Sequence, residues 1–296
     1  MPEVGFLNSG SKPEFAHLLN AFRDGLKLQG YKVVGSTPKK GSKEVRIHTE
    51  WANGDYSKLD GKAKALVAKG VTVLAATGGT GAARAASKTG TRIPIIFASG
   101  RSAPEPGDAS ANSKALHLAM STRNVEDHGR YKRLRALLGE EADIYQLINK
   151  DSPVQLEEGY WPKPVVARNV AELREAFQTA VSNKASAILV SGDPFFNSHR
   201  ADIVRLADKH KLPACYPWRE YVEAGGLMSQ GPNLTNTYRR LGIWAAMVLD
   251  GTTTAANLPD AEAGHREFVI NLKTAKKLKI PPSRLGQLLL MADEVI

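Results

Sequence analysis

Short apolar runs and amphipathic stretches alternate along the first hundred residues. Val4–Leu7 is a compact apolar run and predicts a strand. Phe15, Leu18, Leu19, Phe22 and Leu26 then recur at helical spacing and predict a helix over about Pro13–Gln29. Pro13 suits a first turn, Ser11 is the expected cap and Gly30 the expected stop. The pattern repeats. Strand Val45–Thr49 leads to helix Tyr56–Lys69, strand Val71–Ala75 to an alanine-rich helix, and strand Ile93–Ala98 to Ser99-Gly100. Such alternation predicts a parallel sheet with right-handed crossovers, its strand-end loops gathered on one edge.

A second series begins after a Pro/Gly/Ser/Ala-rich stretch, Pro104–Ser113. It has a basic helix near Asp127–Leu138, strands Ile144–Ile148 and Val165–Ala167, and helix Val170–Asn183. Strand Ala187–Val190, helix Ser198–Lys211, strand Ala214–Tyr216, strand Leu227–Ser229, helix Leu234–Leu249 and strand Phe268–Leu272 follow. The expected fold class is α/β, with two Rossmann-like lobes built on parallel sheets. A chain of 296 residues exceeds what one compact core usually holds, which agrees with two lobes. The expected division is residues 1–115 plus 225–255 in the N-terminal lobe, and 116–224 plus 256–296 in the second.

Composition narrows the function class. With 42% hydrophobic and 24% charged residues the chain reads as an ordinary globular protein. No apolar run approaches the ~20 residues that span a bilayer. The net charge of +10 raises nucleic acid as a partner, yet Lys and Arg are scattered and the densest cluster, Arg130–Arg135, is short. No nucleic-acid partner is expected. The single cysteine, Cys215, excludes an internal disulfide and sits in an apolar context, so a buried thiol is expected. The opening MPEVGFLNSG lacks a basic region followed by an apolar stretch and a cleavage site, so no leader is expected in this chain. Two locations stay open: periplasmic as a mature form, or cytoplasmic.

The candidate chemistry lies in the strand-end loops, where α/β proteins bind ligands. Asn8 and Ser9 follow the first strand, Trp51 the second, Thr77-Gly78-Gly79-Thr80 the third, and Ser99-Gly100 the fourth. The glycine loop has no Lys-Ser/Thr pair and carries Arg84 where a dinucleotide fingerprint needs glycine. It is either a tight turn or an anion site made of backbone N–H groups and hydroxyls at a helix start. In the second series Asp193, Phe195, Phe196 and Asn197 stand where a strand hands over to a helix, and Trp218 follows the next strand. Asp193 either shapes a turn before Pro194 or pairs with a ligand ammonium screened by the two rings, and the second role is favoured. Taken together these residues predict a small-molecule site. No catalytic or metal-binding residue is expected. The seven histidines show no i, i+4 pair around a glutamate, and no G-x-S-x-G elbow occurs.

Several stretches resemble a known family: GDPFFNSHR from Gly192, YPWREYVEAGGLMSQGPNL from Tyr216, FVINLKTAKKLKI from Phe268 and the closing LLLMADEVI. With VGFLNSGSKPEFAHLLNAFRDGL and the VTVLAATGGT and IPIIFASG blocks, they are similar to ABC-transporter substrate-binding proteins of the tryptophan/tyrosine-type branch. The likeness covers most of residues 4–100 and 185–296. It implies the type I periplasmic-binding-protein fold, a clamshell that closes by hinge motion on a ligand held between its lobes. It also implies a non-enzymatic monomer without a cofactor, which binds a small polar or aromatic molecule such as an amino acid and delivers it to an ABC transporter permease. Implied contacts are Asn8, Ser9, Thr77–Thr80, Ser99, Gly100, Asp193 with its following residues, and Trp218. A cytoplasmic ligand sensor on the same fold is the alternative.

Overall fold

The computed structural model describes residues 2–37, 39–99, 115–119, 123–151, 162–252 and 266–296. The chain forms two compact units, Met1–Thr122 with Leu234–Gly264, and Arg123–Asn233 with His265–Ile296.

Unit 1 opens with β1 (Glu3–Asn8), α1 (Lys12–Leu28), β2 (Lys32–Val33) and β3 (Glu44–Trp51). It continues with α2 (Leu59–Ala68), β4 (Val73–Thr77), α3 (Thr80–Ser87), β5 (Ile95–Ser99) and β6 (Ala115–Ala119). The six strands form one sheet in the order β2-β3-β1-β4-β5-β6, and every pairing is parallel. The α1 stripe that spacing predicts is buried at all five positions, each worth about 1.5–3 kcal/mol of transfer free energy. Ser11 occupies the N-cap position of α1, but its hydroxyl makes no capping bond. β4 lies two residues later than the apolar run predicts. Its register is set by β1, Val4 opposite Val73 and Asn8 opposite Thr77, so the neighbouring strand and not local hydrophobicity decides its ends.

Unit 2 starts with α4 (Arg123–Leu138), β7 (Ile144–Ile148), β8 (Lys163–Val166), α5 (Val170–Ser182) and β9 (Ala187–Val190). Next come α6 (Pro194–Ser198), α7 (Arg200–Lys209), β10 (Ala214–Tyr216), α8 (Arg219–Glu223) and β11 (Met228–Pro232). The chain then returns to unit 1 as α9 (Leu234–Leu249), which packs along α1. It re-enters unit 2 with β12 (Arg266–Ile270), α10 (Leu272–Lys277), α11 (Pro282–Met291) and β13 (Glu294–Val295). The seven-stranded sheet runs β13-β12-β11-β10-β9-β7-β8.

The sheet of unit 2 is dominated by parallel pairings, as expected, and β12 alone runs antiparallel to its neighbour β11. One expectation is corrected here. Residues 225–233 belong to unit 2 and not to the N-terminal lobe, because β11 is hydrogen-bonded between β10 and β12.

The sheet of unit 2 is buried on both faces, and its side chains alternate as the pleat requires. Tyr145, Leu147, Val190 and Tyr216 join Phe196 and Phe177 on one face. Ile144, Leu189, Cys215 and Phe268 join Leu134 and Leu288 on the other. Cys215 is fully buried, and desolvation pushes its thiol up to about 12. The folded-state value is raised, so its contribution to stability is complete below the thiol's ordinary value and is lost as pH climbs toward 12. We expect Cys215→Ala to flatten the alkaline fall in urea stability by up to about 1.4 kcal/mol per pH unit in that window. Urea titrations at pH 8 and pH 10.5 check this, and parallel losses in both proteins would exclude it.

Candidate functional site

In unit 1, parallel register brings the ends of β1, β3 and β4 level, with Asn8 opposite both Trp51 and Thr77. The loop after β3 is zipped to the loop after β1. Ala52 N donates to Asn8 O, Asn53 N to Gly10 O and Gly54 N to Ser9 O, at 2.8–3.0 Å. Asn8 is fully buried and its side chain is engaged. Its Nδ2 donates to Thr77 Oγ1 (2.8 Å) and to the Tyr238 hydroxyl (3.1 Å), and its Oδ1 accepts from Gly10 N (2.7 Å). Thr77 Oγ1 in turn donates to Leu7 O at 2.9 Å. Asn8 and Thr77 therefore tie the loops together.

Gly78 adopts φ +81°, and a Cβ there would stand 2.7 Å from Ser9 N. Only glycine lets the loops after β1 and β4 approach this closely. Gly79 stands at the N-cap of α3 and has no side chain to cap it. The first amides of α3 thus lack a side-chain partner at the partly exposed positions Gly79 and Thr80. At the ends of β1 and β3, the buried Ser9 Oγ and Trp51 Nε1 have no hydrogen-bond partner. The Trp51 ring leans on Phe6, with centroids 5.5 Å apart, and is 8% exposed. Ser99 ends β5, and Gly100 lies outside the described residues.

In unit 2, the stretch expected to be a loop after β9 is the short helix α6, separated from α7 at His199 (φ −110°, ψ 23°). Asp193 is its N-cap and is fully buried. Asp193 Oδ1 accepts from Phe195 N (2.9 Å), Phe196 N (3.3 Å) and Asn149 Nδ2 (3.2 Å). Turn shaping, one of the two roles weighed for Asp193, is thus present. Phe195 and Phe196 are 5% and 0% exposed and belong to the core cluster, where they anchor the turn. Asn197 is fully buried, and neither atom of its amide has a partner. Trp218 is half-buried, with its ring beside Gly192; a Cβ at Gly192 would meet Trp218 Cζ2 at 3.5 Å. Gly231 is obligatory, because a Cβ there would lie 1.9 Å from Pro217 O.

Sequence reasoning missed Asn149, Tyr221 and a polar network around Gln146. Asn149 follows β7 as Ser9 follows β1, so the strand-end rule had the means to find it. Tyr221 sits one helical turn after Trp218, and no local signal separates it from a core tyrosine. Its phenol is fully buried and unpartnered. In the network, Gln146 Nε2 donates to Asp127 Oδ2 (2.8 Å) and Ser191 Oγ (2.7 Å). Arg130 pairs with Asp127 and donates to Gln230 O at 3.0 Å. These bonds fix α4 against β7, β11 and the end of β9. Among the described residues no group of three or more His, Cys, Asp or Glu is placed to hold a metal ion. Nor is any described helix long and apolar enough to cross a membrane.

Residues 161–296 match the family model described as ABC transporter substrate binding protein. None of the curated proteins matches the chain. The fold is that of type I periplasmic binding proteins. The ABC domain of Streptococcus pneumonia in complex with L-Trp superposes with a TM-score of 0.78 at 23% identity, covering 100% of this chain and 99% of that one. A conserved domain protein of Vibrio cholerae gives 0.77 at 19% identity, with the same coverage of 100% and 99%. A 5-methylthioribose transporter solute binding protein of Thermotoga lettingae, in complex with 5-methylthioribose, gives 0.61 at 12% identity, covering 98% and 92%.

Proposed function

We propose that this chain is the solute-binding component of an ABC importer, that it works outside the cytoplasm as a non-catalytic monomer, and that its ligand is an amino acid with an aromatic or apolar side chain. The observation that carries this reading is the placement of buried polar atoms without partners. Ser9 Oγ and Trp51 Nε1 in unit 1, and the Asn197 amide and Tyr221 hydroxyl in unit 2, lack partners. Ser9 and Trp51 stand at the carboxyl ends of β1 and β3, and Asn197 and Tyr221 lie in the short helices that follow β9 and β10. Buried polar groups are almost always satisfied, so these five atoms on four residues after strand ends support a partner that arrives from outside the chain.

The chemistry of each set matches one end of a zwitterion. In unit 1 the indole N–H, a hydroxyl and the amides at the start of α3 are donors suited to a carboxylate. In unit 2 the Asp193 carboxylate suits an ammonium, and the half-buried Trp218 ring suits a flat apolar body. The match of residues 161–296 to the substrate-binding family supports delivery to a permease.

Native mass spectrometry of the purified chain tests the reading, followed by thermal melts with each proteinogenic L-amino acid. We expect a co-purified small molecule, or one amino acid that raises the melting temperature. A ligand at a hundredfold excess over Kd adds about 2.7 kcal/mol, on the order of 5–10 °C for a unit of this size. An empty chain that no amino acid stabilises would refute the amino-acid reading.

A further inference from the structure

We infer that unit 2 carries a second ligand site, a basic pocket between α5 and α7 that takes a phosphate-type oxyanion, free or on a lipid headgroup. The inference is independent of the amino-acid reading and concerns a different part of the unit.

A cavity of about 300 Å³ opens where these two helices meet, far more room than a single water needs. Arg174 and Gln178 of α5 line it, with Arg205, Leu206 and Lys209 of α7 and the C-cap residue His210. Helical spacing gathers them. Arg174 and Gln178 stand four residues apart, as do Arg205 and Lys209, and Leu206 and His210, so each pair shares one helix face. Leu206 packs against the core, and the His210 ring stacks on the buried Phe177 with centroids 6.5 Å apart and planes at 21°. These two form a fixed base, while Arg174, Arg205 and Lys209 are exposed. The place is remote from the strand-end loops. α7 runs from the carboxyl end of β9 to the amino end of β10, so its last turn lies at the opposite edge of the sheet from Asp193.

The charge of the pocket has one sign. No lining residue is acidic. Nearby surface cations find carboxylates: Arg168 pairs with Glu172, and Lys211 and Lys277 both pair with Asp208. Arg205 pairs with Asp202, which does not line the cavity. Arg174 and Lys209 differ. Neither has an acid three or four residues away in sequence, and neither forms an ion pair among the described residues. Arg205 and Lys209 are moreover like charges at i, i+4, an arrangement that weakens a helix unless an anion offsets it. Two guanidinium forks, an ammonium, a carboxamide and an imidazole all offer N–H donors, and an arginine fork matches the oxygens of a phosphate. A carboxylate brings one negative charge to three cations. A phosphate monoester brings about −1.5 to −2 and three acceptor oxygens, so it compensates the pocket better.

The test compares the full chain with the double variant Arg174→Gln/Lys209→Gln. The control is Lys40→Gln/Lys64→Gln, which removes two exposed cations of unit 1 and changes net charge equally. Inorganic phosphate is titrated at an ionic strength held constant with sodium chloride, and amide NMR shifts are followed. Co-sedimentation is run beside it with vesicles of phosphatidylglycerol in phosphatidylcholine, and with phosphatidylcholine alone. Phosphate is expected to move the Arg174, Gln178 and Lys209 amides saturably. The pocket variant should bind about five- to tenfold more weakly, because two exposed charged contacts are lost, and the control should stay within about twofold of wild type. Urea midpoints should agree among the three chains, since every substituted side chain is exposed. Saturable binding of phosphate in solution supports the pocket and makes free phosphate or its monoesters the source. Binding to the phosphatidylglycerol vesicles alone, lost in the pocket variant, supports it with a lipid headgroup as the source. A wild-type chain that binds neither probe overturns the inference. So does a pocket variant that binds no more weakly than the control. Neither result touches the amino-acid reading, which rests on other residues.

Discussion

Asp193→Asn is expected to fold like the wild type and to bind a zwitterionic amino acid about a hundredfold more weakly. Asparagine caps a helix about as well as aspartate. Its carbonyl can accept the bonds from Phe195 N, Phe196 N and Asn149 Nδ2 that Asp193 Oδ1 now accepts. What it lacks is the charge, and a charge-assisted bond to an ammonium is worth about 1.5–3 kcal/mol. Asp193→Ala is expected to lose both functions, with the cap and the buried Asn149 bond together costing about 2 kcal/mol. Calorimetric titration with L-tryptophan or another bound amino acid, beside urea unfolding, separates the two variants. Full affinity in Asp193→Asn would reduce Asp193 to a cap and remove it from the binding edge.

Gly242→Ala should lower the stability of unit 1 by about 2 kcal/mol, although alanine is the better helix former. α1 and α9 cross at Gly25 and Gly242. A Cβ at Gly242 would stand 2.0 Å from Phe22 O, and one at Gly25 would stand 2.0 Å from Arg239 O. Backbone cannot retreat as a flexible side chain can, so the helices must part. The damage should reach the carboxyl end of β1, because α9 carries the Tyr238 hydroxyl that accepts from Asn8 Nδ2. Gly286→Ala is the control: at this exposed glycine in α11 a new methyl would meet no atom within 4 Å. It should gain up to about 1 kcal/mol. A Gly242→Ala variant as stable as the control would mean that the crossing tolerates a wider spacing.

Much of the architecture is legible in the chain because each strand–helix unit carries its own pattern. Ile144–Ile148, Ala187–Val190, Ala214–Tyr216 and Leu234–Leu249 stand where apolar runs and helical spacing predict them. The strand-end rule also leads to Ser9, Trp51, Gly78, Gly79 and Trp218, because a parallel sheet brings all its carboxyl ends to one edge. The short elements are not legible. α6 and α8 have five residues each, too few for a periodic pattern, and β13 has two.

Local pattern by itself determined the α/β class, the repeated units, the burial of Cys215 and the positions of the strand-end loops. Those properties depend on a residue's near neighbours in the chain. Tertiary structure alone decided the two-residue shift of β4, the antiparallel β12 and the membership of β11. It also decided which polar atoms are satisfied. Asn8 and Thr77 bond to each other across 69 residues, whereas Ser9, Trp51, Asn197 and Tyr221 keep buried polar atoms without a partner. Hydrogen-bond satisfaction depends on groups that meet only after the chain has folded, and no spacing rule along the sequence can report it.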